Sequence, residues 1–238
     1  MKTKLSSEYK AVIAENLCEV KKRIAETKGK GQEVTLLLAT KTVPAEAINY
    51  ATQELGVTDI GENRVQELLE KYDALDKENV NIHFIGSLQT NKVKYIIDKV
   101  CMIHSVDSLK LAAEIDRQAK KHNKIMDILV EINIGEEDQK GGIAPSELES
   151  FLGELTAFEN IRVRGLMTIA PFWCEKSDYQ KYFTKTYQFF IDILPEKIHN
   201  IYKPVLSMGM SDSFETAIEC GSTLVRLGTV VFGRREYK

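Results

Sequence analysis

The 238-residue chain has four cysteines, five prolines and one tryptophan, and no apolar run near the roughly 18 residues that a membrane span needs. Each shortage excludes something. Cys18, Cys101, Cys174 and Cys220 are scattered, without a Cys-x-x-Cys pair, so no disulfide framework or zinc ribbon can be drawn from them. Buried, reduced thiols in a cytoplasmic protein are the expectation. Neither charge dominates: 32 basic against 35 acidic residues leave a net −3, which gives no footprint for nucleic acid or an anionic membrane. The N-terminal stretch lacks the unbroken apolar core of a secretory signal. His83, His104, His122 and His199 lack metal spacing, and no P-loop, GxGxxG fingerprint or GxSxG elbow occurs.

What is present is an apolar fraction of 43% in a chain long enough to bury roughly 70–75% of its unfolded surface. The simplest partition is one domain, 1–238, opened by a helix over about 4–27. Leu5, Tyr9, Val12, Ile13, Cys18, Val20 and Ile24 keep broadly to one stripe there. Strand-like runs then recur at Val34–Ala39, Thr58–Ile60, Ile82–Ile85, Met102–Val106, Ile128–Ile134, Ile161–Met167, Val205–Met208 and Thr223–Leu227. Helical patterns separate them: Ala45–Leu55, Arg64–Tyr72, Asn91–Lys99, Ser108–His122, Pro145–Phe158, Ser177–Ile198 and Ser213–Glu219. Ser108, Pro145 and Asp212 read as helix starts. Eight strands alternating with helices predict a parallel, closed (β/α)8 TIM barrel, with an open doubly wound sheet as the alternative. The aromatics Trp173, Tyr179, Tyr182, Phe183, Tyr187, Phe189 and Phe190 sit at helical spacing and read as packing.

In such a barrel the chemistry lies at the C-terminal ends of the strands, with phosphate near the last two loops. Lys41 closes the most apolar strand and Pro44 follows it. It is either the first solvated residue after that strand or a desolvated amine suited to Schiff-base chemistry. The turn Gly61-Glu62-Asn63-Arg64 crowds polar groups together; Asn63 as a helix cap accounts for one of them. His83 alone reads as a half-buried strand residue. Ser207-Met-Gly209-Met-Ser211-Asp212 and Arg226-Leu-Gly228-Thr229 follow the last two strands. Their backbone N–H groups could cradle a phosphate, or the glycines could serve tight turns alone.

The ordered motifs ATKTVP, DIGENRVQE, HFIGSLQTNK, Ser105-Val-Asp107-Ser, Gln139-Lys-Gly-Gly, Arg164-Gly-Leu-Met-Thr168 and LSMGMSDSFETAIECGSTLVRLGTVVFG run from about Val34 to Phe232. Through them the chain resembles the pyridoxal phosphate homeostasis family, fold-type III pyridoxal 5'-phosphate (PLP) barrels similar to the N-terminal domain of alanine racemase. The resemblance implies that Lys41 carries the cofactor as an internal aldimine, a Schiff base. It implies that Ser211, Gly228 and Thr229 hold the phosphate with help from Ser207. It places Arg226 at the pyridine nitrogen and Asn63 beside the ring. A guanidinium is a poor proton donor, so the ring would stay neutral and be a weak electron sink.

Related racemases and decarboxylases complete their sites with a β domain after the barrel, and no such domain is expected here. The implied function is therefore vitamin B6 homeostasis: a non-catalytic carrier that buffers PLP and delivers it to apo-enzymes, touching amino-acid and keto-acid metabolism. The alternative is an amino-acid racemase working from the barrel alone. A third reading, drawn from the residues, is a Schiff-base aldolase without cofactor. No nucleic-acid or membrane partner is expected, and a monomer is preferred.

Overall fold

The structure is a computed structural model and describes residues 5–137, 139–171, 175–197 and 203–233. Trp173, Cys174 and His199, named above, lie outside the described residues. The first element is α1 (Ser7–Thr27), which buries Ile13, Leu17, Val20 and Ile24, one residue per helical turn. That stripe leaves Val12 and Cys18 on the outer face, a correction to the sequence reading. Cys101 is also exposed and Cys220 only half-buried, so the described thiols are free but, against the expectation, none of them is buried.

Strand and helix then alternate. The first half runs β1 (Thr35–Ala39), α2 (Ala45–Asn49, prolonged by a π-helical turn, Tyr50–Glu54), β2 (Asp59–Glu62), α3 (Val65–Tyr72), β3 (Asn81–Phe84), α4 (Val93–Ile96) and β4 (Met102–Val106). The second half runs α5 (Leu109–Lys121), β5 (Met126–Ile132), α6 (Leu148–Leu155), β6 (Ile161–Thr168), α7 (Lys176–Lys197), β7 (Val205–Ser207), α8 (Phe214–Glu219), β8 (Leu224–Leu227) and α9 (Thr229–Phe232). Every neighbouring pair is parallel, and β8 returns to β1 with Leu37 opposite Arg226. The expected (β/α)8 barrel is thus closed.

Three local expectations change. The helix after β3 is shorter than predicted, a 3-10 turn at Thr90–Lys92 leading into α4. Ser108 does cap α5, accepting from the Leu111 N–H at 3.4 Å, but α8 is entered through Ser213 rather than Asp212. The short α9 lies in a Thr-Val-Val-Phe run whose β-branched residues favour strand, so local propensity conceals it.

Strand side chains alternate between two environments. Leu38, Ile60, Phe84, Ile103, Val130 and Leu206 face the helices and join one continuous core. Each such burial stabilises the fold by roughly 1.5–3 kcal/mol. Among the described residues the barrel interior holds two small apolar clusters, Leu37–Ala39–Ile85–Leu224 and Met102–Leu129–Met167. The rest of that interior includes buried polar groups: Asp59, His83, His104, Ser207 and Arg226.

Candidate functional site

At the C-terminal ends of the strands a cavity of about 170 Å³ is lined by Lys41, Asn63, Ser211, Arg226, Gly228 and Thr229. Ala39, Ile85, Ile169 and Met210 supply its apolar surface. Loops after β1, β2 and β7 meet the end of β8 and the first turn of α9 here. A second cavity of about 280 Å³ adjoins it, sharing Ile169, Met210, Asp212 and Arg226 and reaching Tyr179 and Phe183 on α7.

Lys41 is half-buried and stands two residues beyond the end of β1. A buried ionic clamp holds its loop. Lys71 Nζ donates to the Thr40 carbonyl at 2.9 Å, to Glu62 Oε1 at 3.0 Å and to Glu67 Oε1 at 2.6 Å. Thr40 Oγ1 donates to Glu62 at 2.7 Å, and Glu67 accepts from the Thr42 N–H. Thr42 adopts φ +65°, a left-handed conformation costly for a β-branched residue, so the surrounding bonds hold the turn. Glu62 has no solvent exposure; burial raises its pKa against the pull of Lys71 and Thr40. Glu62 is therefore the inner anchor of the crowded turn, which the sequence reading left unexplained.

Asn63 does not cap α3; Arg64 occupies that position. The Asn63 side chain instead lines the cavity, and its buried Oδ1 has no hydrogen-bond partner. An unsatisfied buried amide costs about 1–3 kcal/mol unless something binds it. Gly86 in HFIGSLQTNK lets this loop close down: a Cβ there would lie 2.1 Å from the Asn63 carbonyl oxygen.

Opposite lies the β7 loop. Gly209 adopts φ +96°, and a Cβ would fall 2.6 Å from that of Ala217, so only glycine makes the turn. Ser211 Oγ accepts from the Val230 N–H at 3.4 Å, tying this loop to α9. The first N–H groups of a helix have no acceptor within it, and here the hydroxyls of Ser211 and Thr229 stand beside them.

Arg226 is almost wholly buried on β8. Its Nη1 donates to the Ser207 carbonyl at 2.8 Å and to Ser207 Oγ at 2.6 Å, and its Nη2 to the Thr168 carbonyl at 2.9 Å. Burial lowers its pKa to about 10, with Glu131 opposing, so it remains a cation. Burial also raises Glu131 to about 7, helped by the charge of Asp107. Ser207 is absent from the cavity lining. The resemblance set it beside Ser211 at the phosphate, but its side chain lies inside the barrel, bonded to Arg226 and 3.2 Å from His104 Nδ1.

Sequence reasoning also missed Asp59, His83 and His104. His83 Nε2 lies 3.0 Å from Asp59 Oδ1, and its Nδ1 lies 2.9 Å from His104 Nε2. Burial alone would depress His83, yet its bond to Asp59, with a contribution from Cys101, pushes it up to about 9. His104 falls well below the usual imidazole range through burial and the cations His83 and Arg226. The signal was polar residues at inward strand positions. Among the described residues no three His, Cys, Asp or Glu are grouped to hold a metal ion, and no helix is long and apolar enough to cross a membrane.

The geometry has counterparts. Residues 11–236 match the family described as alanine racemase, N-terminal domain. The pyridoxal phosphate homeostasis protein of Aquifex aeolicus is 45% identical over 227 residues, covering 94% of this chain and 98% of that one. The structure of PipY of Synechococcus elongatus with PLP bound superposes with a TM-score of 0.79 at 30% identity, covering 93% of this chain and 100% of that one. An alanine racemase of Clostridium difficile shares the fold, with a TM-score of 0.71 at 19% identity, over 94% of this chain but 58% of its own. The chain thus belongs to the alanine racemase N-terminal domain family, among its pyridoxal phosphate homeostasis proteins.

Proposed function

We propose that this barrel binds pyridoxal 5'-phosphate in the cavity at its strand ends and serves as a cytoplasmic carrier, acting as a single-domain monomer that passes PLP to apo-enzymes. One observation carries the reading: the loops after β1, β2 and β7 and the β8–α9 junction bring six residues, Lys41, Asn63, Ser211, Arg226, Gly228 and Thr229, to the same cavity. The donor set fits the cofactor. A lysine amine can join its aldehyde, a cation can face its ring, and hydroxyls with helix-start N–H groups can take its phosphate. The unsatisfied Asn63 Oδ1 fits a ligand that brings a hydrogen-bond donor.

When bound, PLP supplies an electron sink for carbanions at an amino acid's α-carbon. This chain's own residues are arranged mainly to hold it. Lys41 would provide the covalent anchor and Asn63 a polar contact beside it, with the buried Ile85 forming part of the apolar wall. Arg226, a buried cation and a poor proton donor, would hold the ring without supplying a proton to it. Racemisation needs proton donors and acceptors on both faces of the substrate carbon. Among the described residues lining this cavity, the titratable groups are Lys41, Arg226 and the exposed Asp212; no His, Tyr or Cys joins them. That set favours retention over turnover.

The test is a visible spectrum of the purified protein, then borohydride reduction and peptide mass mapping. A yellow protein with the reduced adduct on Lys41 is expected. A colourless protein that takes up no added PLP overturns the proposal and leaves the cofactor-free aldolase. Exchange of the α-proton of D- or L-alanine with solvent at turnover-like rates would overturn the carrier role in favour of the racemase.

A further inference from the structure

Resting on PLP occupying that cavity, we propose that Ser207 and His104 are positioning residues. They hold the Arg226 guanidinium against the cofactor ring and couple it to a buried chain of side chains crossing the barrel.

The chain begins at Asp59, which lines a wide cavity at the opposite, N-terminal end of the strands. It continues through His83 at 3.0 Å, His104 at 2.9 Å, Ser207 at 3.2 Å and Arg226 at 2.6 Å. Five strands, β2, β3, β4, β7 and β8, each contribute one member. From His83 to Arg226 no residue is more than 5% exposed. Polar side chains buried to this degree are costly unless each satisfies the next, so the chain is a single unit whose members fix one another.

The Arg226 end has the functional consequence. Its three hydrogen bonds go to neutral oxygens, two carbonyls and one hydroxyl, rather than to a carboxylate. The charge is therefore oriented without being cancelled at close range. The Ser207 carbonyl belongs to β7 and cannot move, so the hydroxyl decides whether Nη1 is gripped at one point or two. That hydroxyl is itself aimed by His104 Nδ1. Because Arg226 lines the cofactor cavity while Ser207 does not, Ser207 acts on the ring only through Arg226.

The experiment compares the PLP-loaded wild type with Ser207→Ala and Ser207→Thr. It reads three quantities: the pH midpoint of the visible spectral change, the half-time of PLP release to an excess of trap, and the melting temperature. Ser207→Ala is expected to displace the midpoint and to release PLP roughly five- to tenfold faster, the equivalent of one lost hydrogen bond, and Ser207→Thr to restore both. A midpoint and release rate that overlay the wild type overturn the proposal. So does a lowered melting temperature alone, which marks a purely structural hydroxyl. If Ser207→Ala does not fold, His104→Gln is read in its place against the same outcomes. A wild type that takes up no PLP overturns the cofactor reading itself, a result distinct from a wild type that binds normally beside an unaltered variant.

Discussion

Lys71 Nζ stands 3.0 Å from Glu62 Oε1, an ion pair beneath the loop that presents Lys41. Glu62 has no solvent exposure, and its second oxygen, Oε2, has no partner. The same ammonium reaches the Thr40 carbonyl next to Lys41 in sequence. The clamp therefore fixes the stem of Lys41 without lining the cavity itself.

Replacing Lys71 with Met should leave Glu62 buried and unpaired, costing about 3–5 kcal/mol of stability in urea titration. Adding Glu62→Gln to it should recover most of the loss. The sign with pH follows from Glu62, whose pKa is raised in the folded state. Its ionisation opposes folding, so its contribution is best below the ordinary carboxylate range and declines as pH rises through the folded value. Lys71→Met should steepen that decline; a pH-independent loss would mean that Glu62 is already neutral beside Lys71.

The Asp59–His83 pair predicts a loss at alkaline pH. His83 is raised from 6.5 to about 9 in the folded protein. Its stabilisation is fully present below 6.5 and is lost as pH rises through about 9, on the order of 3 kcal/mol in all. Asp59 is lowered through its bonds to His83, Thr58 and Asn81 against the cost of burial, so its share is lost only as pH falls through the acid range. Denaturant titrations on either side of pH 9 should show the drop in the wild type and its absence in Asp59→Asn.

Lys41→Ala should abolish the covalent adduct while changing stability by less than about 1 kcal/mol, because the side chain ends in the cavity rather than in the core. Absorbance and mass mapping report the first, thermal melting the second. An insoluble variant would assign Lys41 to the fold.

Gly209→Ala should disturb the Ser211 side of the cavity. The new methyl would meet the Ala217 Cβ at 2.6 Å in a left-handed backbone, a strain of about 1–3 kcal/mol, and the Ser211 loop must shift to relieve it. Weaker PLP retention with the barrel still folded is expected; unchanged retention would separate this loop from the cofactor.

The period of apolar residues marked all eight strands to within about two residues, because local patterning needs no partner to be visible. The glycine-and-hydroxyl loops and Lys41 were legible for the same reason: they stand where strands end. Ser207 and Ser211 were not separable, since both lie in one Ser-Met-Gly-Met-Ser run. Only the pairing of β7 with β8, Ser207 opposite Leu224, turns Ser207 inward toward Arg226 while Ser211 meets α9. His83 likewise read as an ordinary strand residue, His104 only as a histidine without metal spacing, and Glu62 as one of several polar groups crowding a turn, with Lys71 unremarked. Closure of the barrel made them neighbours. Which face of a strand a residue occupies depends on register, and register is set by strands distant in sequence.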